Sequence, residues 1–200
     1  GALSAHLRTT PAAPGTIGPD DHALLAALGI SGGVVCLVGA GGKKSTMRAL
    51  ARAWPGRVAL TATAHMLPFP PDVADETLFG TEAALLAGAL ATSGRVVVFA
   101  REHGSRGRAA GVSGTLPGRL AQAGFGLCLV KADGARGRLI KAPAHYEPVI
   151  APGTGAVLAL VSARAIGQHL NERVAHRCER ITALTGLLPG MRIAPTHVAQ

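Results

Sequence analysis

Eight consecutive residues, Gly39-Ala40-Gly41-Gly42-Lys43-Lys44-Ser45-Thr46, combine the groups that hold a phosphate. Glycines let backbone N–H groups approach an anion, lysines bring mobile positive charge, and hydroxyls can reach a metal or a phosphate oxygen. The apolar run Val34-Val35-Cys36-Leu37-Val38 precedes them and an amphipathic segment, 47–54, follows. Strand, glycine turn and helix is the layout that aims a helix N-terminus at an anion. The spacing departs from the usual phosphate loop, because Leu37 or Val38 stands where its first glycine belongs. A dinucleotide turn and a purely structural glycine turn therefore stay open as alternatives, although a lysine pair is odd for a turn that contacts pyrophosphate through backbone.

Asp133 closes the apolar run Phe125 to Lys131 and is followed by Gly134. At the end of a neighbouring strand, such a carboxylate would hold Mg²⁺ or its water. The next residues place Arg136, Arg138, Lys141, His145 and Glu147 in a Gly/Pro-rich segment. His65 ends a strand, where ligands collect in open α/β sheets. The chain has only four lysines, Lys43, Lys44, Lys131 and Lys141, and every other strong base is arginine. Lysine is a compact point charge where guanidinium is a planar fork, so its restriction to two motif regions points to a site.

These groups need a scaffold, and the apolar pattern supplies one. A helix begins near Asp20 or Asp21 and ends at Gly29, followed by a strand at 34–38. Strands are expected at 57–63, 95–100, 125–131 and 156–161, with helices at 81–91, 116–123, 163–176 and 179–187. Pro68, Pro70 and Pro71 make an extended link, and 101–118 reads as a basic loop or short hairpin. Apolar strands alternating with crossover-length helices predict an α/β fold, a mainly parallel sheet flanked by helices in a three-layer, Rossmann-type, P-loop NTPase-like arrangement. Residues 1–19 read as a flexible lead-in and 20–200 as a single nucleotide-binding domain, truncated at the C-terminus.

The totals narrow the classes. With 200 residues and 48% hydrophobic content the chain can bury a real core. No uninterrupted apolar run reaches about 18 residues, which argues against a membrane span. The net charge of +9 invites nucleic acid, but aromatics are only 3% and the arginines are scattered, so stacking platforms are few. Cys36, Cys128 and Cys178 lack metal spacing and read as small buried hydrophobes in a reducing, cytoplasmic setting.

Assembled, these pieces resemble the YqeC family, described as selenium-dependent hydroxylase accessory proteins. The similar segments are Gly39 to Lys43, the Thr-rich Thr61-Ala62-Thr63-Ala64-His65-Met66, the block 132–143, His145-Tyr146-Glu147-Pro148-Val149-Ile150, and the later stretch Gly167 to Arg177. The resemblance implies a nucleotide-binding role in maturing molybdenum-containing hydroxylases, with ATP or another NTP and Mg²⁺ as cofactors. A molybdenum cofactor or an apo-hydroxylase would be the partner. Lys43 and Lys44 would hold phosphates, Ser45 or Thr46 the metal, and Asp133 the metal or its water. Gly39 to Gly42, Thr63 and His65 would line the nucleotide, and Arg136, Lys141 and Glu147 would face a second ligand. NTP hydrolysis or phosphoryl or nucleotidyl transfer is the expected chemistry. A non-enzymatic carrier of a phosphate-bearing pterin is the alternative, and a small-molecule kinase a weaker one. Two departures stand out: Lys44 occupies a position where the family tends to have Thr or Ser, and Lys131 one where it tends to be acidic. Their ammonium charge would partly replace Mg²⁺.

Overall fold

The computed structural model describes residues 7–8, 19–102 and 109–199. In chain order the sheet elements are β1 (Leu7–Arg8), β2 (Gly33–Gly39), β3 (Val58–Ala62), β4 (Glu76–Gly80), β5 (Val96–Arg101), β6 (Leu127–Lys131) and β8 (Thr154–Leu160), while β7 (Ile140–Lys141) and β9 (Ala175–His176) form a separate pair. The helices are α1 (Pro19–Ala27), α2 (Lys43–Ala53), α3 (Glu82–Ala91), α4 (Leu116–Gln122), α5 (Cys178–Thr185) and α6 (Pro195–Val198).

The main sheet runs β1-β4-β5-β3-β6-β2-β8, and every pairing in it is parallel except that of β1 with β4. Strands buried on both faces read as continuous apolar runs, and β3, with all five residues buried, shows why Val58-Ala59-Leu60 carries no alternation. The pleat sends alternate residues to opposite cores. Val35, Leu37, Leu60, Val98 and Leu129 pack with Leu25 of α1 and with Met47, Leu50 and Ala51 of α2. Cys36, Ala59, Val97, Phe99 and Val130 pack with Leu85 and Ala89 of α3 and Leu116 and Leu120 of α4. The result is the three-layer α/β fold that the alternation of elements predicts.

Two arginines finish the helices. Arg95 donates to Ala51 O (3.1 Å) and Trp54 O (2.9 Å) at the end of α2. Arg57 donates to Ala89 O (3.3 Å) and Thr92 O (3.0 Å) at the end of α3. Each satisfies carbonyls left without intrahelical partners.

The C-terminal third differs from expectation. No helix spans 163–176: a 3₁₀ turn covers Ala163–Ala165 and β9 follows. Gly167 takes φ 83°, and its N–H donates to Ile193 O while Leu170 N–H donates to Met191 O, so these bonds leave the local helix for a distant strand-like segment. Asn171 Oδ1 accepts from the N–H groups of Arg173 and Val174, a turn that competes with helix. Around it Ile140, Leu170, Ala175, Ile181, Leu187 and Ile193 make a third small core. The short strands β4, β7 and β9 also lie outside the elements expected from the apolar pattern. Within the basic segment 101–118, residues 103–108 lie outside the described residues, and Ala109 and Ala110 bridge antiparallel to Met66 and Arg101. The lead-in contributes β1, and its residues 1–6 and 9–18 are outside the described residues. Among the described residues no helix is long and apolar enough to cross a membrane.

A lysine cluster at the carboxyl ends of β2 and β6

Strand β2 pairs with β6 in parallel, Leu37 facing Lys131, so the glycine loop and Asp133 emerge side by side. That adjacency follows from sheet order, since the two segments lie far apart in the chain. The loop is tight. Gly41 takes φ 84° and a Cβ there would strike Ser162, whereas Gly42 takes φ 117° with nothing close to it. Gly42 then caps α2 without a side-chain hydrogen bond, and the first turn of α2 carries no acidic residue. The two lysines therefore sit inside the first helical turn rather than ahead of it.

Asp133 is 1% exposed and forms the hub. Its Oδ2 accepts the Gly39 N–H at 2.8 Å and lies 2.9 Å from Lys141 Nζ. Its Oδ1 lies 2.8 Å from Lys43 Nζ without hydrogen-bond alignment, so attraction between charges carries that contact. Lys43 Nζ also donates to Gly39 O. Lys141 Nζ donates to Gly134 O and to Glu147 Oε2, both at 2.8 Å, and Arg177 Nη1 donates to the same Glu147 oxygen at 2.8 Å. The chain of contacts therefore runs from the loop, through the sheet, into the third core.

The other two lysines have carbonyl partners. Lys44 Nζ donates to Leu67 O and Pro68 O at 2.7 Å each and lies over the Phe69 ring. Lys131 Nζ donates to His65 O at 3.0 Å. All four lysines of the chain thus gather at one end of the sheet. Burial pulls the Lys131 amine down to about 8, helped by the charges of Lys43, Lys44 and Lys141. Burial also lowers Lys43, against the pull of Asp133, and lowers Lys44.

Of the remaining residues singled out by sequence, Ala40 is buried in the loop, Ser45 is exposed on α2 and Thr46 is half-buried. Thr63 Oγ1 donates to Val149 O at 2.7 Å, tying the end of β3 to the second motif. His65 contributes its carbonyl, while its ring is on an exposed residue. Arg136 is exposed, with φ 49° in a tight turn. Arg177 is not a candidate site residue by type or spacing, although it ends the stretch 167–177 that resembles the family; the rarity of lysine signals Lys131. Cys36, Cys128 and Cys178 are all buried free thiols, and burial pushes Cys128 up to about 12.

A nucleotide-bound magnesium would need a carboxylate oxygen and a hydroxyl turned toward the phosphates. Both Asp133 oxygens already face ammonium groups. At equal distance two ammoniums repel a divalent ion twice as strongly as one carboxylate attracts it, each unit pair being about 4 kcal/mol at 4 Å in a protein-surface dielectric. As the side chains stand, this set does not fit a divalent cation. Among the described residues no group of three or more His, Cys, Asp or Glu side chains is placed to hold a metal.

The family model described as YqeC protein matches residues 35–179, a span that contains the loop, Asp133, Lys141, Glu147 and Arg177. The chain belongs to the YqeC family. It is 32% identical over 160 residues to YqeC of Escherichia coli (strain K12), which is described as an uncharacterized protein. That match takes in 78% of this chain and 62% of the relative, so the chain spans less than two thirds of the relative's length. No solved structure matches it.

Proposed function

We propose that this YqeC-family chain binds a nucleoside triphosphate at the lysine cluster and serves as an accessory protein in maturing molybdenum-containing hydroxylases, selenium-dependent ones among them. The observation that carries the binding reading is the convergence of Lys43, Lys44, Lys131 and Lys141 on the open N-terminus of α2. Ammonium groups and helical N–H groups together favour a phosphate chain over a single carboxylate. The reaction would be hydrolysis or transfer of a phosphoryl or nucleotidyl group, with positioning and charge neutralisation as the main contributions.

A second reading is a non-enzymatic carrier that grips a pterin cofactor through its phosphate. It is favoured by Asp133 being tied to two lysines rather than turned toward an attacking water. Calorimetry with ATP, GTP, CTP and a molybdopterin-type ligand ranks the two ligand classes, and release of phosphate or pyrophosphate separates turnover from carriage. Lys43→Ala and Lys44→Ala are each expected to weaken binding by about tenfold or more, the worth of one charge-assisted contact. Unchanged affinity in both variants would sink the phosphate-loop reading.

A further inference from the structure

The site that the nucleotide reading rests on has a second property. Among the described residues, the carboxylates in contact with the four lysines and Arg177 are Asp133 and Glu147. Lys44 is held by two carbonyl oxygens and the Phe69 ring, and Lys131 by the His65 carbonyl, groups that offer only partial charge to an ammonium. In magnesium-dependent phosphate sites one loop lysine and one divalent ion share the neutralisation, and a carboxylate holds the ion. Here the carboxylate is spent otherwise. Asp133 is buried between Lys43 and Lys141 and is anchored by the Gly39 N–H, so it fixes the two ammoniums beside the loop.

We propose that the site takes its polyphosphate as the metal-free anion, with the four lysines supplying the charge that magnesium supplies elsewhere and Asp133 acting as their shared counter-ion. This inference depends on the chain binding a nucleotide at all. The lysines recognise the phosphate chain itself, so inorganic tripolyphosphate and ATP are ligands of one chemical class here. Magnesium then acts as a competitor. It reduces the negative charge of the phosphate chain and meets Asp133 with both oxygens already facing ammonium groups.

The test is calorimetry on the 200-residue chain with ATP and with tripolyphosphate, in resin-stripped buffer and again with excess magnesium. The expected result is affinity that holds within about threefold, or tightens, when magnesium is removed. Lys131→Met should weaken binding by about the same factor in both buffers. Should Lys131→Met fail to fold, the comparison of buffers on the unaltered chain still decides. An affinity that collapses by about tenfold or more without magnesium overturns the metal-free proposal and leaves the nucleotide reading standing. Absence of binding in both buffers overturns both.

Discussion

Lys43 has a side chain 6% exposed and Asp133 one 2% exposed, so neither charge is softened by water. Removing one member of a buried pair leaves the other unpaired, which generally costs about 3–5 kcal/mol. Asp133 keeps Lys141 and the Gly39 N–H, so Lys43→Met is expected to cost about 3 kcal/mol in urea unfolding. Combined with Asp133→Asn the loss should be smaller than the sum, by about 1–3 kcal/mol. Additive losses would mean that the two side chains do not stabilise one another. Glu147 gives a pH signature. Burial pushes its carboxyl up, but hydrogen bonds from Arg177 and Lys141 outweigh that and hold it at about 2, against an ordinary 4.5. A depressed folded-state value means the contribution is present above 4.5 and is lost as pH falls through about 2. Glu147→Gln should therefore lower stability near neutral pH and flatten its decline across that acid window, read from urea midpoints. At this scale the sequence was informative where residue type was unusual: rare lysine marked Lys131 and Lys141. Arg177, one of many arginines, carried no such mark.

Among the elements, the loop between β2 and α2 is the one whose shape depends on side chains being absent. Gly41 and Gly42 both take positive φ, but only Gly41 has a neighbour, Ser162, where a Cβ would lie. Gly42→Ala should cost about 1–2 kcal/mol of backbone strain. Gly41→Ala should cost clearly more, because it also displaces the backbone of the 3₁₀ turn after β8. Thermal unfolding of the two variants compares them directly, and equal losses would mean the contact with Ser162 yields freely. The parallel strands were legible because burial on both faces writes itself as runs such as Val96-Val97-Val98-Phe99. The segment 163–176 misled because its composition is helical while its hydrogen bonds are long-range. Gly167 and Leu170 donate to Ile193 and Met191, partners that no local window contains. β4 hid behind the proline link, and β7 and β9 are two residues each, too short for any periodicity.

At the scale of the whole molecule, the cluster joins two separately packed regions. Lys43, Lys44, Lys131 and Asp133 stand on the main sheet and α2, while Lys141, Glu147 and Arg177 belong to the segment built around the third core. Among the described residues the joints include Lys141 to Asp133 and to Gly134 O, Thr63 Oγ1 to Val149 O at 2.7 Å, Ser162 N–H to Leu139 O at 2.9 Å, and Val149 N–H to Ala132 O at 3.0 Å. The third core is also small, so a single cavity should be felt there first. Leu170 is 0% exposed at its centre, and Leu170→Ala is expected to cost about 2–5 kcal/mol locally. Local opening follows the stability of each cooperative unit. Hydrogen exchange should therefore speed up at Leu139, Ala142, Leu170 and Ala175, while Val35, Leu60 and Leu129 in the main sheet keep their protection. Because Lys141 rides on β7, the same variant should weaken tripolyphosphate binding although Leu170 lies among the apolar residues of the third core. Uniform acceleration across both regions would show that they unfold as one unit. Unchanged binding alongside a loosened third core would show that Lys141 is held by Asp133 and not by the strand that carries it.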